Sequence, residues 1–258
     1  MSARGTNSEK KLPFYGAKEG SDVGVLLNSK VAVEKKNYVS TGMITYVAGD
    51  VIEVEMPQSH AFELGEKVKL IVYTSIGLFV FESSVVAKDT GALIIINPPE
   101  NKRRFNEKRQ HPRIAVQHPG KLNAILHGIH PRAAMSEPVE VTTVNISLGG
   151  VGVSIATTVD IQTDSRLELE LDLGFPFVCT TEVVRMETTK GGIFYGTRYL
   201  ELSAEKASAL RAFILRNQVE DYYKEKKQRL LEQASCEAEA ARPASRDSLQ
   251  GELTGGMA

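Results

Sequence analysis

From Val23 onward the chain is a succession of short apolar and β-branched runs broken at regular intervals by turn residues. VGVLL, YVSTGMITYVA, VIEVEM, VKLIVY, LFVFESSVVA and ALIIIN follow one another, with breaks at Asn28-Ser29, Gly49-Asp50, Gly65-Glu66, Ser75 to Gly77 and Asp89 to Gly91. Helices would need apolar residues at i, i+3 and i+4 over longer windows, so the pattern predicts a small antiparallel barrel or sandwich over residues 23–98. Pro98-Pro99 ends it, because adjacent prolines remove backbone donors and bias the preceding residue away from helix. A second β series starts at Ile114 and includes GKLNAIL, VEVTTV, GVGVSI, RLELELDL, FVCTTEVVRM and GIFYGTRYLEL. In RLELELDL, leucine alternates with charged residues, the period of a strand with one buried face. Ser203 is then a candidate N-cap with Glu205 in the first turn, and Leu210, Phe213, Ile214 and Tyr222 form an apolar stripe at helical spacing.

The expected fold is all-β, two small antiparallel β-barrels followed by a C-terminal α-helix. The expected divisions are a mobile leader at 1–22, a barrel at 23–98, a basic linker at 99–113, a barrel with its helix at 114–233 and a disordered tail at 234–258. Length agrees, since 258 residues suit one to two domains. Hydrophobic residues at 42% and charged residues at 24% argue against wholesale disorder.

The start, MSARGTNSEKKLPFYG, has no apolar run behind its basic residues, and Leu70 to Phe81 is too short to span a bilayer. Neither a secretory signal nor a membrane span is expected, and the predicted location is cytoplasmic. Two cysteines, Cys179 and Cys236, exclude a disulfide framework and a thiolate zinc site.

A formal net charge of −1, from 31 basic and 32 acidic residues, rules out a polybasic nucleic-acid coat but hides a local excess. Between Asn101 and Arg113 stand Lys102, Arg103, Arg104, Lys108, Arg109 and Arg113 against Glu107 alone. Charge runs are commonly solvated linkers. An arginine segment can also bind anions, because the planar guanidinium suits phosphate oxygens and the O6/N7 edge of guanine and leaves a face for stacking. About thirty residues later comes NISLGGVGVS, where Asn145 and Ser147 precede the paired glycines Gly149 and Gly150. Alone, this is an ordinary turn.

Together the two segments resemble the PilZ family, whose signature is R-x-x-x-R followed by [D/N]-x-S-x-x-G. Arg109 and Arg113 fit the first motif, and Asn145, Ser147 and Gly150 fit the second. GTRYLELSAEKASALRAFI, with Gly196 and Tyr199, resembles the family's closing strand and helix, and residues 23–97 resemble the accessory barrel of the flagellar-brake (YcgR-like) branch. The resemblance implies a bacterial signal-transduction protein that binds cyclic di-GMP through Arg109, Arg113, Asn145, Ser147 and Gly150, with Arg104 and Lys108 as further candidates. It also implies regulation of motility or a related output, flagellar motor proteins as partners and a place at the flagellar basal body. The position of Lys102 to Arg113 between the two domains predicts in addition a change of interdomain arrangement on binding. Asn145 stands where many members carry Asp and lacks the carboxylate's charge. Lys108 lacks arginine's stacking plane, which leaves one or two ligands per subunit open.

No catalytic residues, cofactor or metal are expected. His127-x-x-His130 has no supporting ligand set, and no G-x-S-x-G elbow, P-loop or dinucleotide fingerprint follows a strand. DNA or RNA as a partner is disfavoured, since Phe105 alone interleaves the basic cluster with an aromatic. The alternative to a receptor is a PilZ interaction scaffold that does not bind ligand. The sequence leaves monomer or homodimer open.

Overall fold

The computed structural model describes residues 25–104, 111–126, 133–156 and 159–240. The expected leader lies outside these residues, as does the chain beyond Ala240. Two closed six-stranded antiparallel barrels follow each other along the chain. The first comprises β1 (Lys30–Lys35), β2 (Tyr38–Ala48), β3 (Val51–Glu55), β4 (Lys67–Thr74), β5 (Gly77–Asp89) and β6 (Ala92–Ile96). Its strand order is β1-β2-β3-β6-β5-β4, with β4 returning to β1. The second comprises β7 (Ile114–Leu126), β8 (Ala133–Ser147), β9 (Gly150–Ile155), β10 (Arg166–Asp172), β11 (Pro176–Thr189) and β12 (Gly192–Glu201). Its order, β7-β8-β9-β12-β11-β10, repeats that of the first barrel strand for strand. Closure pairs every strand on both sides, which leaves no open edge to template aggregation.

Each barrel has its own core. Val33, Ile44, Ile52, Val54, Leu70, Val72, Leu93 and Ile95 fill the first, and Leu26 and Phe62 join it from the connecting segments. In the second, Leu167, Leu169 and Leu171 point inward exactly as often as the alternation of β10 dictates, against Val141, Ile146, Val153, Val183 and Tyr195.

Three elements differ from the expectation. Of VGVLL, Val25 to Leu27 lie in a turn, where Asn28 has φ 58°, and the first strand is instead KVAVEK. Its alternating Val31 and Val33 are buried between charged ends that mask the pattern. Within the basic linker, Pro99–Arg104 forms a short helix, α1, because proline's fixed φ is already helical and its missing donor costs nothing at a helix start. The terminal helix, α2 (Ala204–Ala240), continues past residue 233, since CEAEA is made largely of strong helix formers. Ser203 caps α2 as expected, its hydroxyl accepting from the Lys206 N–H at 3.3 Å. Leu210 and Ile214 are buried in the second barrel's core, with Phe213 packed beside them. The chain divides into two compact units within α2, after Val219. Among the described residues no helix is long and apolar enough to cross a membrane.

Candidate functional site

The second sequence motif forms the tight connection between β8 and β9. Ser147 pairs with Gly150 across it, and Asn145 pairs with Gly152 two residues further in. Gly150 is required for steric reasons. A Cβ there would run into the carbonyl oxygen of Thr197 on β12, so only a bare backbone lets the strands approach. Ser147 is buried at 4% exposure. Its hydroxyl accepts from the Gly149 N–H at 3.3 Å and donates to the Gly150 carbonyl at 3.2 Å, which fixes the turn's shape. One lone pair of that oxygen remains available to a donor. Tyr199 extends the β12 ladder by donating its N–H to the Gly149 carbonyl at 3.2 Å.

Asn145 is half-buried and faces outward from the barrel. Strand alternation alone would turn it inward with Val141 and Thr143, both buried. A register shift between Thr143 and Asn145 inserts Val144 as an unpaired residue, and this bulge re-aims the carboxamide to the outer surface. There the side chain lies over Gly152: a Cβ on Gly152 would stand 2.8 Å from Asn145 Nδ2 and 2.7 Å from the Phe194 ring.

The first motif approaches the same turn. Ile114 at the head of β7 pairs with Ile146, so exposed Arg113 enters beside the end of β8. Just upstream, a Cβ on Gly149 would stand 3.2 Å from His111 Cδ2, which places the imidazole on the turn. Arg109 and Lys108 lie outside the described residues, and so does the side chain of Arg104, whose backbone ends α1. His127 and His130 are outside them too. Among the described residues, no group of three His, Cys, Asp or Glu side chains is placed to hold a metal ion.

Behind this surface the ionisable groups serve packing. Burial pushes the Cys179 thiol up to about 12, against a lesser opposing pull from Lys206, so it stays protonated at neutral pH. Burial likewise raises the Tyr199 hydroxyl well above its ordinary value, and Cys179 adds to the effect. Two surface depressions, about 870 Å³ near Met43 and Tyr73 and about 490 Å³ near Pro119 and Glu170, lie away from the motif residues.

His111, Gly152 and Phe194 occupy none of the defining positions of either sequence motif. Glycines at i and i+2 in GVGVS, both on one face of a strand, were the available signal for a close approach at Gly152.

No curated protein matches the chain. Among solved structures, it is similar to the inhibitor of motility MotI/DgrA of Bacillus subtilis, at 17% identity and a TM-score of 0.38 over 75% of this chain and 98% of that one. It is also similar to Escherichia coli YcgR in complex with c-di-GMP, at 14% identity and a TM-score of 0.39 over 80% and 93%. The K. pneumonia MrkH–c-di-GMP complex is similar at 13% identity and a TM-score of 0.35 over 76% and 90%. The family is set by sequence: residues 107–216, which take in both motifs and the whole of β7 to β12, match the PilZ domain, and the C-terminal barrel of this chain is a PilZ domain.

Proposed function

We propose that the chain is a cyclic di-GMP receptor of the flagellar-brake type, an effector and not an enzyme. The observation that supports this reading is the PilZ match over residues 107–216, within which Arg113 enters beside Ser147 and His111 rests on Gly149. Arg109 and Arg113 supply guanidinium forks to guanine edges or phosphates, with Arg104 and Lys108 as further cations. Asn145 presents a carboxamide from the barrel side, Ser147 holds the turn and offers its remaining lone pair, and Gly150 keeps the backbone close. A dianionic ligand with two guanines suits this combination of cations and planar polar groups.

The linker at 99–113 lies between a YcgR-like barrel at 23–98 and the PilZ barrel at 114–233. Ligand that draws this linker onto the PilZ barrel alters the relation of the two barrels, which is the signal passed on to reduce motility. Only differential affinity for the two arrangements can drive such a switch. X-ray scattering with and without saturating ligand tests it, and an unchanged radius of gyration would refute the rearrangement.

Calorimetric titration of the full chain with cyclic di-GMP tests the receptor reading itself. Arg109→Ala and Asn145→Ala should each bind about tenfold more weakly or worse, the loss expected for one bidentate base contact. Absence of heat with the parent chain would leave an interaction scaffold, and hydrolysis of the ligand would make the protein an enzyme.

A further inference from the structure

We propose that Arg185, on β11, is a further ligand contact that closes the end of the site opposite Asn145. The inference rests on the cyclic di-GMP reading and extends the site to a strand that neither motif contains.

Cross-strand pairing places Ala115, Asn145, Gly152, Gly196 and Arg185 in one row over β7, β8, β9, β12 and β11. From Asn145 to Arg185 is three strand steps, roughly 14 Å at ~4.8 Å each. Both intervening positions are glycine, so the row is bare backbone between a carboxamide and a guanidinium. Neighbouring side chains fold down into the space. The Phe194 ring lies over Gly152, and the Arg185 stem crosses Gly196, with Cγ 2.8 Å and Nε 3.0 Å from where a Cβ would stand. The Arg185 guanidinium carbon is 5.2 Å from the Phe194 ring centroid. The largely buried Phe194 ring thus lies between the Asn145 carboxamide and the Arg185 guanidinium.

The orientation of Arg185 depends on a second bulge. Period-2 alternation would put it on the inward face with Thr181 and Val183, both fully buried. A register shift between Val183 and Arg185 leaves Val184 as the extra residue and turns Arg185 outward. Its counterpart on β8 does the same for Asn145. The two ends of the row are thus re-aimed by the same device, with exposed Val144 and Val184 as the inserted residues.

Arg185 is about half exposed, and its partner is Glu187, with Nη1 2.9 Å from Oε1. Such solvent-screened pairs are weak, so the guanidinium can exchange the carboxylate for a ligand phosphate or a guanine edge. Phe194 beneath it limits the orientations available and leaves the outer face of the guanidinium for stacking on a base.

Titration of the full chain with cyclic di-GMP distinguishes the possibilities. Arg185→Ala should weaken binding about tenfold or more, and Arg185→Lys should also weaken it because lysine has no planar face. Glu187→Gln should bind as tightly as the parent or more so, since it removes the competing acceptor. If the parent and Asn145→Ala behave as a receptor and its impaired variant while Arg185→Ala binds like the parent, the Arg185 contact is refuted and the receptor reading survives. If the parent takes up no ligand, both fall. Unchanged melting of Arg185→Ala would assign its loss of affinity to the contact and not to folding.

Discussion

A single hydrogen atom at Gly150 lets β9 come within reach of β12. Because its backbone conformation is not the left-handed one reserved for glycine, the constraint is spatial, and alanine would have to displace the Thr197 carbonyl itself. Gly150→Ala should destabilise the PilZ barrel by about 1 to 3 kcal/mol, the usual cost of forcing atoms into a packed site, and chemical denaturation should register it. Ligand affinity should fall as well, since the same displacement moves the turn that Ser147 holds. In the first barrel, the Glu66 carboxylate accepts from the Glu63 N–H at 3.0 Å and pairs with Lys35 Nζ at 3.2 Å. The Glu63 backbone donor chiefly holds the Glu66 carboxyl below its ordinary 4.5; burial opposes it, and Lys35 and then Lys88 add lesser lowering effects. A carboxyl depressed in the folded state contributes stability above its unfolded pKa and loses it as pH falls through the folded value. Denaturation measured between pH 6 and about pH 3 should therefore show a shallower acid decline in Glu66→Gln than in the parent, and identical slopes would refute the assignment.

At the level of elements, hydrophobic alternation was sufficient where strands are regular and half-buried. RLELELDL could be read directly because Leu167, Leu169 and Leu171 face one core without interruption. The first strand was harder, since KVAVEK buries only a short segment between lysines, while neighbouring VGVLL is more apolar yet supplies Leu26 to the core from a turn. Burial thus does not identify a strand unless the backbone also pairs. The candidate site shows a similar division. Asn145, Ser147 and Gly150 were legible because their spacing is local to one turn, whereas the row from Asn145 to Arg185 depends on four strands and two bulges. A bulge inserts one residue against a partner strand and leaves no mark in the strand's own alternation, so periodicity within a single strand places Arg185 on the wrong face. The repeated barrel order was equally hidden, because the two chains of strands share topology and turn positions but no evident sequence repeat.

For the whole molecule, a net charge near zero concealed the cationic segment that stands between the two barrels in sequence. A physical tie between the barrels comes from α2. Its first turns are anchored in the PilZ barrel through Leu210 and Ile214, and further along Gln218 reaches the β2–β3 turn of the first barrel. There the Asp50 N–H donates to Gln218 Oε1 at 3.1 Å, and the carboxamide packs so closely on Gly49 that a Cβ would stand 2.8 Å from its Nε2. Gly49 also has φ 57°, so the turn that receives the helix is one that a larger residue would strain twice over. Gln218→Ala removes the acceptor without touching either core. A neutral hydrogen bond is worth roughly 1 kcal/mol net, so exchange of the Asp50 amide should quicken by about fivefold to tenfold while the most protected amides of both barrels keep their rates. If the receptor works by altering the relation of the barrels, the same substitution should also change how far the scattering profile moves on addition of cyclic di-GMP, because it weakens one of the contacts that any rearrangement must break or keep. An unchanged Asp50 exchange rate would show that the Gln218 contact does not hold the turn, and an unchanged ligand response alongside faster exchange would place the coupling in the 99–113 linker alone.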